Sequence, residues 1–343
     1  MLSSRQLQIL QVIVDDFITS AQPVGSRQIS KRADITFSPA TIRNEMADLE
    51  ELGFLEKTHT SSGRVPSQKG YRFYVDHLLK PQVITAEDIR QIQSIFSDQM
   101  MEMEQVIRKT ATILSELTSY TSILLGPSSS SHRVKKFSLV PLTATNAVII
   151  IVTDNGHVEN RLVTLPEQLA AHELEKMVNI LNERLVGIPL AEVHTKIETE
   201  VMQLINKHVG NIEHFIRSFF HVSDEASNGK LVYGGKLNIL NQPEFHDLGK
   251  IRSLMDMMDE TSNDVTSIIR PANTGNIEIR IGTENNHFAM EDCSIITASF
   301  MTGEQEEGAI AIIGPTRMDY QRVVALLDFM RQELSRNYLG PNV

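Results

Sequence analysis

Over residues 4–19 the apolar side chains Leu7, Leu10, Ile13, Val14 and Phe17 recur every three or four positions, which predicts a helix with one buried face. Ala21, Gln22 and Pro23 interrupt it. A short second helix is expected from Ser26 as N-cap, with Ile29 and Ala33 inward. A third is expected with Ser38 as N-cap, Pro39 at the first helical position and Gly53 as the stop. Its buried stripe is Ile42, Met46, Leu49 and Leu52. Residues 54–58 read as a strand, Ser61, Ser62, Gly63 and Arg64 as a tight turn, and Val65 and Pro66 as the return leg of a hairpin. Ser67 then caps a helix carrying Tyr71, Phe73, Tyr74, Val75 and Leu78, closed by Pro81.

Beyond this, Thr85 and Asp88 open a predicted helix reaching about residue 125, with Phe96, Met100, Met103, Ile107, Thr110, Leu114, Leu117, Thr121 and Leu124 in a 4-3-4-3 stripe. The stripe suits either a coiled-coil seam or packing on a sheet of the same chain. Gly126, Pro127 and four serines read as a loop. The period then shifts to strands at 137–142, 147–153 and 158–165, with Asp154, Asn155 and Gly156 as a hairpin turn. Helices at 167–186 and 196–221 follow, then a strand at 231–240 and a helix at 248–258. Strands at 265–269, 277–282, 294–301 and 309–314 precede a last helix over 319–337. Runs of strands with few interleaved helices give an α+β multidomain chain with a mainly antiparallel sheet.

The 343 residues, 41% apolar and 22% charged, suffice for two or three folded domains and exclude collagen-like or wholly disordered readings. One cysteine, Cys293, excludes an internal disulfide framework and Cys-rich zinc sites. The longest apolar runs fall far short of the ~18 to 20 residues a membrane helix needs, and the first residues lack a signal-peptide block, so a cytoplasmic protein is expected. Net charge is −11, yet residues 1–80 hold ten Lys/Arg against nine Asp/Glu, leaving 22 against 34 for the remainder. The first segment is therefore electrostatically separate from an acidic body, which permits a polyanionic partner without requiring one.

Three helices and a hairpin wing form the helix-turn-helix variant whose third helix enters a DNA major groove by its N-terminal end. Opposite the buried stripe stand Ser38, Thr41, Arg43 and Asn44. Arginine pairs with guanine O6 and N7, asparagine with adenine N6 and N7, and a helix N-terminus favours phosphate. Arg27 is placed for backbone contact and Arg64, at the wing, for a minor groove. Lys57, Lys69 and Arg72 are secondary phosphate candidates. Asp48, Glu50 and Glu51 confine any DNA approach to the first two turns. A winged helix that binds protein instead remains the alternative for these residues.

The stretch SPATIRNEMADLEELGFL over 38–55, then THTSSGRVP over 58–66 and Gly70-Tyr71-Arg72, closely resembles the HrcA family of heat-inducible transcription repressors. The body resembles it too, at 137–142, the hairpin at 154–156, Tyr233-Gly234-Gly235, Ile281-Gly282-Thr283-Glu284-Asn285 and 308–320. The resemblance implies an N-terminal winged-helix domain over 1–82, a GAF-like domain from 86–165 and 230–343, and an inserted dimerisation unit over 166–229. It implies repression of groE- and dnaK-type chaperone operons by a homodimer on an inverted-repeat operator called CIRCE, with a GroEL-type chaperonin maintaining the active form. A two-fold protein suits an inverted repeat. The other reading compatible with a GAF-like domain is a regulator that senses a small molecule.

No enzyme is expected, and no cofactor. The sequence has no phosphate-binding glycine loop ending in Lys-Ser/Thr, no HExxH and no GxSxG. Lys176 stands where a second histidine would complete a zinc motif begun by His172 and Glu173. His208, His214 and His221 are spaced too widely for adjacent-turn ligands. Glu291 and Asp292 are expected to raise the Cys293 thiol pKa. Met255, Met257 and Met258 suit either core packing or an adaptable partner surface.

Overall fold

The computed structural model describes residues 2–58, 63–97, 103–127, 132–154, 156–165, 170–208, 230–245, 247–258, 263–271, 276–302 and 307–339. Two compact units emerge: one from residues 1–125, 231–303 and 309–343, the other from 126–230 with 304–308.

The first unit opens with α1 (Ser4–Ser20), α2 (Ser26–Ile29) and α3 (Pro39–Glu51). Ser3 and Gln6 form a capping box on α1, and Ser38 caps α3. Gly25, not Ser26, occupies the N-cap position of α2. Strands β1 (Leu55–Lys57) and β2 (Arg64–Pro66) pair antiparallel, and α4 (Gln68–His77) follows behind its Ser67 cap. The predicted turn residues Ser61 and Ser62 lie outside the described residues. Ile9, Leu10, Ile13, Ile42, Met46, Leu49 and Tyr74 bury the interior of this segment, while Leu52, expected in the stripe, is 48% exposed.

The single helix expected over 85–125 is instead α5 (Ala86–Ser94), α6 (Met103–Thr118) and β3 (Thr121–Leu125). Ser119 adopts a left-handed φ of 59° and ends the helical path. Thr85 and Asp88 do form the anticipated capping box. β3 joins a five-stranded sheet with β7 (Leu231–Gly234), β8 (Ile277–Ile281), β9 (Cys293–Met301) and β10 (Glu307–Pro315), in the order β7-β3-β10-β9-β8. The stripe of α6 packs on this sheet, which is the same-chain alternative to a coiled coil.

Both faces of the sheet are covered. On one lie α6 and α12 (Tyr320–Leu339), with Ile296, Ala298, Phe300, Ile310 and Ile312 against Leu114, Leu327 and Leu334. On the other lie α10 (Leu248–Met257) and α11 (Asn263–Ile269), with Ile295, Ala311 and Ile313 against Leu254, Met257, Met258 and Ile269. Two covered faces explain why β9 and β10 read as nearly unbroken apolar runs. Residues 265–269, expected as a strand, lie instead in the helix Asn263–Ile269, and Met257 and Met258 are core. The continuous apolar cluster under α6 and α12 also contains Ile9, Ile13, Ile42 and Tyr74, so the first four helices share a core with the sheet layer.

In the second unit, β4 (Val134–Pro141), β5 (Asn146–Thr153) and β6 (Val158–Thr164) form an antiparallel meander. Gly156, with φ 86°, supplies the hairpin turn; Asn155 lies outside the described residues. Phe137, Ile149 and Ile151 pack on α7 (Ala171–Leu185) and on the run of α8 (Leu190–Lys196), a π-helical turn over Ile197–Val201 and α9 (Met202–His208). Asn182 accepts from the Phe137 N–H at 2.8 Å and donates to its carbonyl at 2.9 Å, satisfying the strand beside its bulge. The meander thus packs with the helices that follow it, its buried face lying against α7. His214, His221 and the turn-rich 223–229 lie outside the described residues.

Candidate nucleic-acid interface

Pro39, without an N–H, opens α3 where a donor would have no helical partner, and Ser38 accepts the Thr41 N–H at 3.2 Å. The Ser38 and Thr41 hydroxyls also bond each other at 2.9 Å. This fixes the helix tip and, with the Ile42 N–H bonded to the Ser38 carbonyl at 2.9 Å, leaves the Ala40 N–H as the open donor of the first turn. Ile42, Glu45, Met46 and Leu49 turn inward. Glu45 is held by Arg5 at 3.3 Å. Ala40, Arg43, Asn44, Ala47, Asp48 and Glu51 form the exposed face.

The expected contact residues divide into two groups. Arg27, Ser38, Arg43 and Asn44 are exposed and Thr41 is half-buried. Among the described residues no ion pair involves Arg27 or Arg43. Arg64 is different. Its guanidinium contacts Glu50 on α3, with Nε donating at 2.7 Å and Nη2 at 2.6 Å to one carboxylate oxygen. Its backbone exchanges two hydrogen bonds of 2.9 Å with Val24, so the α1–α2 connection adds an isolated bridge beside the hairpin. A Cβ on Gly63 would stand 2.8 Å from the Pro23 backbone, so this close approach requires glycine. The hairpin base is thereby tied to α3 and to the α1–α2 turn, a long-range arrangement without any sequence period.

The secondary candidates also divide. Lys57 is exposed. Lys69 donates to the Leu52 carbonyl at 2.8 Å, completing the α3 C-terminus, and lies 4.6 Å from the Phe54 ring centroid. Arg72 points away from α3: Nη1 donates to the Ile279 carbonyl at 2.8 Å and to Glu284 at 3.0 Å, and Nη2 pairs with Asp76 at 3.1 Å. On the same helix Tyr74 donates to Asp15 at 2.7 Å and accepts from Gln321 at 2.6 Å. Burial pushes the Asp15 carboxyl up from its ordinary value, offset in part by the Tyr74 hydrogen bond.

No group of three or more His, Cys, Asp or Glu among the described residues is arranged to hold a metal ion. No helix among them is long and apolar enough to cross a membrane. Cys293 is fully buried, and its thiol is pushed up to about 12 chiefly by burial, with Asp292 adding a smaller push. The sequence identified Asp292 but not the larger cause.

The arrangement can do one thing directly: offer a helix tip with unpaired cationic and amide side chains to a polyanion carrying hydrogen-bonding edges. Comparison with known proteins supplies the context. Residues 104–324 match the family model described as the HrcA protein C-terminal domain. The heat-inducible transcription repressor HrcA of Lysinibacillus sphaericus is 63% identical over 340 residues, covering 98% of both chains. That of Bacillus pumilus strain SAFR-032 is 53% identical over 336 residues, covering 98% of this chain and 97% of its own. A crystal structure at 2.2 Å described only as a hypothetical protein superposes with a TM-score of 0.66 at 25% identity, covering 99% of each chain. A family model across most of the body and relatives matched nearly end to end place this chain in the HrcA family of heat-inducible transcription repressors.

Proposed function

We propose that the repressor reads an inverted-repeat operator of the CIRCE type as a homodimer and thereby silences groE- and dnaK-type chaperone operons in the cytoplasm. Residues 1–82 act as a winged helix, and the N-terminal half of α3 enters the major groove. The observation that carries this is the exposed N-terminal half of α3, where Arg43 and Asn44 stand on one face with no ion pair to Arg43 among the described residues and with the Ala40 N–H open beside them. Arg43 is assigned to a guanine edge, Asn44 to an adenine edge, and Ser38, Thr41 and Arg27 to phosphates. Arg64, held by Glu50 at the base of the hairpin, is assigned to the minor groove beside the wing. The sheet layer is the GAF-like domain, the second unit supports dimerisation, and a GroEL-type chaperonin assists the active form.

Anisotropy titration of a labelled operator duplex over a salt series tests the reading. Arg43→Ala should weaken operator binding by about 10- to 100-fold and relax base preference at one position. Arg27→Ala should weaken all sequences alike and reduce the salt slope by about one. Binding that ignores both substitutions contradicts the assignment.

A further inference from the structure

The motif Ile281-Gly282-Thr283-Glu284-Asn285 lies far from α3 in sequence, yet it receives α4. Gln68 donates to the Ile281 carbonyl and accepts from the Thr283 hydroxyl at 3.0 Å. Arg72 grips Glu284 and the Ile279 carbonyl. Glu284 also accepts the Ile281 N–H at 2.8 Å, so one carboxylate oxygen shapes the loop and binds α4 together. Asn285 holds the loop from behind, its side-chain amide donating to the carbonyls of Gly282, Met290 and Cys293 at 2.9 to 3.2 Å. Gly282 has φ 57°, and a Cβ there would fall 2.0 Å from the Gln68 amide nitrogen. The loop is built to admit this side chain. Farther along, Gln321 bonds Tyr74, and Arg317 donates to the Ile18 carbonyl at 3.3 Å.

We propose that Gln68 and Arg72, seated on the 281–285 loop, are positioning residues for operator binding: they fix the DNA-reading helices on the sheet layer so that a dimer presents both α3 tips at one set separation. This rests on the operator reading above. A reader on a free tether would tolerate many half-site spacings, each at low effective concentration. A docked reader concentrates its second contact at a single spacing, the two half-sites being related by whole turns of about 10 to 10.5 base pairs. Two polar side chains and a carboxylate, all charge-assisted or paired, give directional stiffness that apolar contact alone lacks.

The experiment compares the full-length protein with Thr283→Val and Glu284→Gln on three duplexes: the intact inverted repeat, one half-site, and the repeat with its spacer lengthened by about five base pairs, half a turn. Thr283 is exposed, so its substitution leaves the core intact. Both variants should bind the half-site within about twofold of wild type and the intact repeat about tenfold more weakly, and they should be penalised less by the lengthened spacer. Equal affinity for the intact repeat, an equal loss on all three duplexes, or tighter binding overturns the inference alone. A wild-type protein that prefers the intact repeat to neither of the others overturns the operator reading and this inference with it.

Discussion

Two helices of the same segment use their charged residues in opposite ways. On α3, Arg43 faces outward with no ion pair among the described residues; on α4, Arg72 is engaged by Glu284, Asp76 and the Ile279 carbonyl. Both helices are short, polar and capped by serine, so composition alone does not separate them. What separates them is the supply of acceptors. The α4 face meets a loop that offers carbonyls and a carboxylate, while the α3 tip presents the Arg43 and Asn44 side chains to solvent and keeps most of its own carboxylates in the later turns. A side chain whose hydrogen bonds are already made contributes rigidity; one whose bonds remain open contributes affinity for something else.

That comparison is broken most strongly from the α3 side. Arg43→Ala should cost about 1 to 3 kcal/mol of operator binding, with the midpoint of thermal unfolding unchanged, because the side chain is exposed. Equilibrium denaturation alongside the titration checks both halves. The mirror experiment is Tyr74→Phe, which removes the donor to Asp15 and the acceptor of Gln321 in the interior. It should lower unfolding free energy by about 1 to 3 kcal/mol while half-site affinity persists below the transition.

A smaller effect sharpens the account through pH. Burial raises the Asp88 carboxyl, but hydrogen bonds from Thr85 and the two-pronged Arg322 contact, at 3.1 and 3.2 Å, more than offset it and leave the pKa below its ordinary value. A depressed native pKa means the unfolded chain binds the proton more tightly. The stabilisation is therefore present above the unfolded value near about pH 4 and is lost as pH falls through the lower native value. In chemical denaturation between about pH 6 and pH 3, wild type should lose this contribution and Asp88→Asn should lack it throughout, so the gap between them narrows in acid. Least of all, Arg90→Ala, which removes an exposed pair with Glu87, should shift stability by no more than about 0.5 kcal/mol.

Much of this was legible from spacing and caps. The Ser38-Pro39 start and Gly53 stop place α3 almost to the residue, and its outer face carries the side chains expected there. The reading failed where both sides of an element are buried. The apolar stripe of α6 continues in register through β3, whose five residues are all buried, and nothing in the period marks the change at Ser119. Residues 265–269, rich in β-branched side chains, read as a strand although they pack on the sheet within the helix Asn263–Ile269; so short a run carries too little periodicity to decide. The ties of Arg64 to Glu50 and Arg72 to Glu284 were invisible for another reason. Each depends on side chains brought together by the fold across 14 and 212 positions, and no local pattern encodes such a meeting.

The central claim is that the α3 tip reads bases, and base discrimination tests it most directly. Wild type and Arg43→Ala should be titrated against the operator and a set of duplexes substituted singly at each half-site position. The account predicts that wild type loses about tenfold or more at one guanine and that Arg43→Ala no longer distinguishes that base while keeping its preferences elsewhere. An Arg43→Ala protein that retains the full wild-type discrimination profile contradicts it.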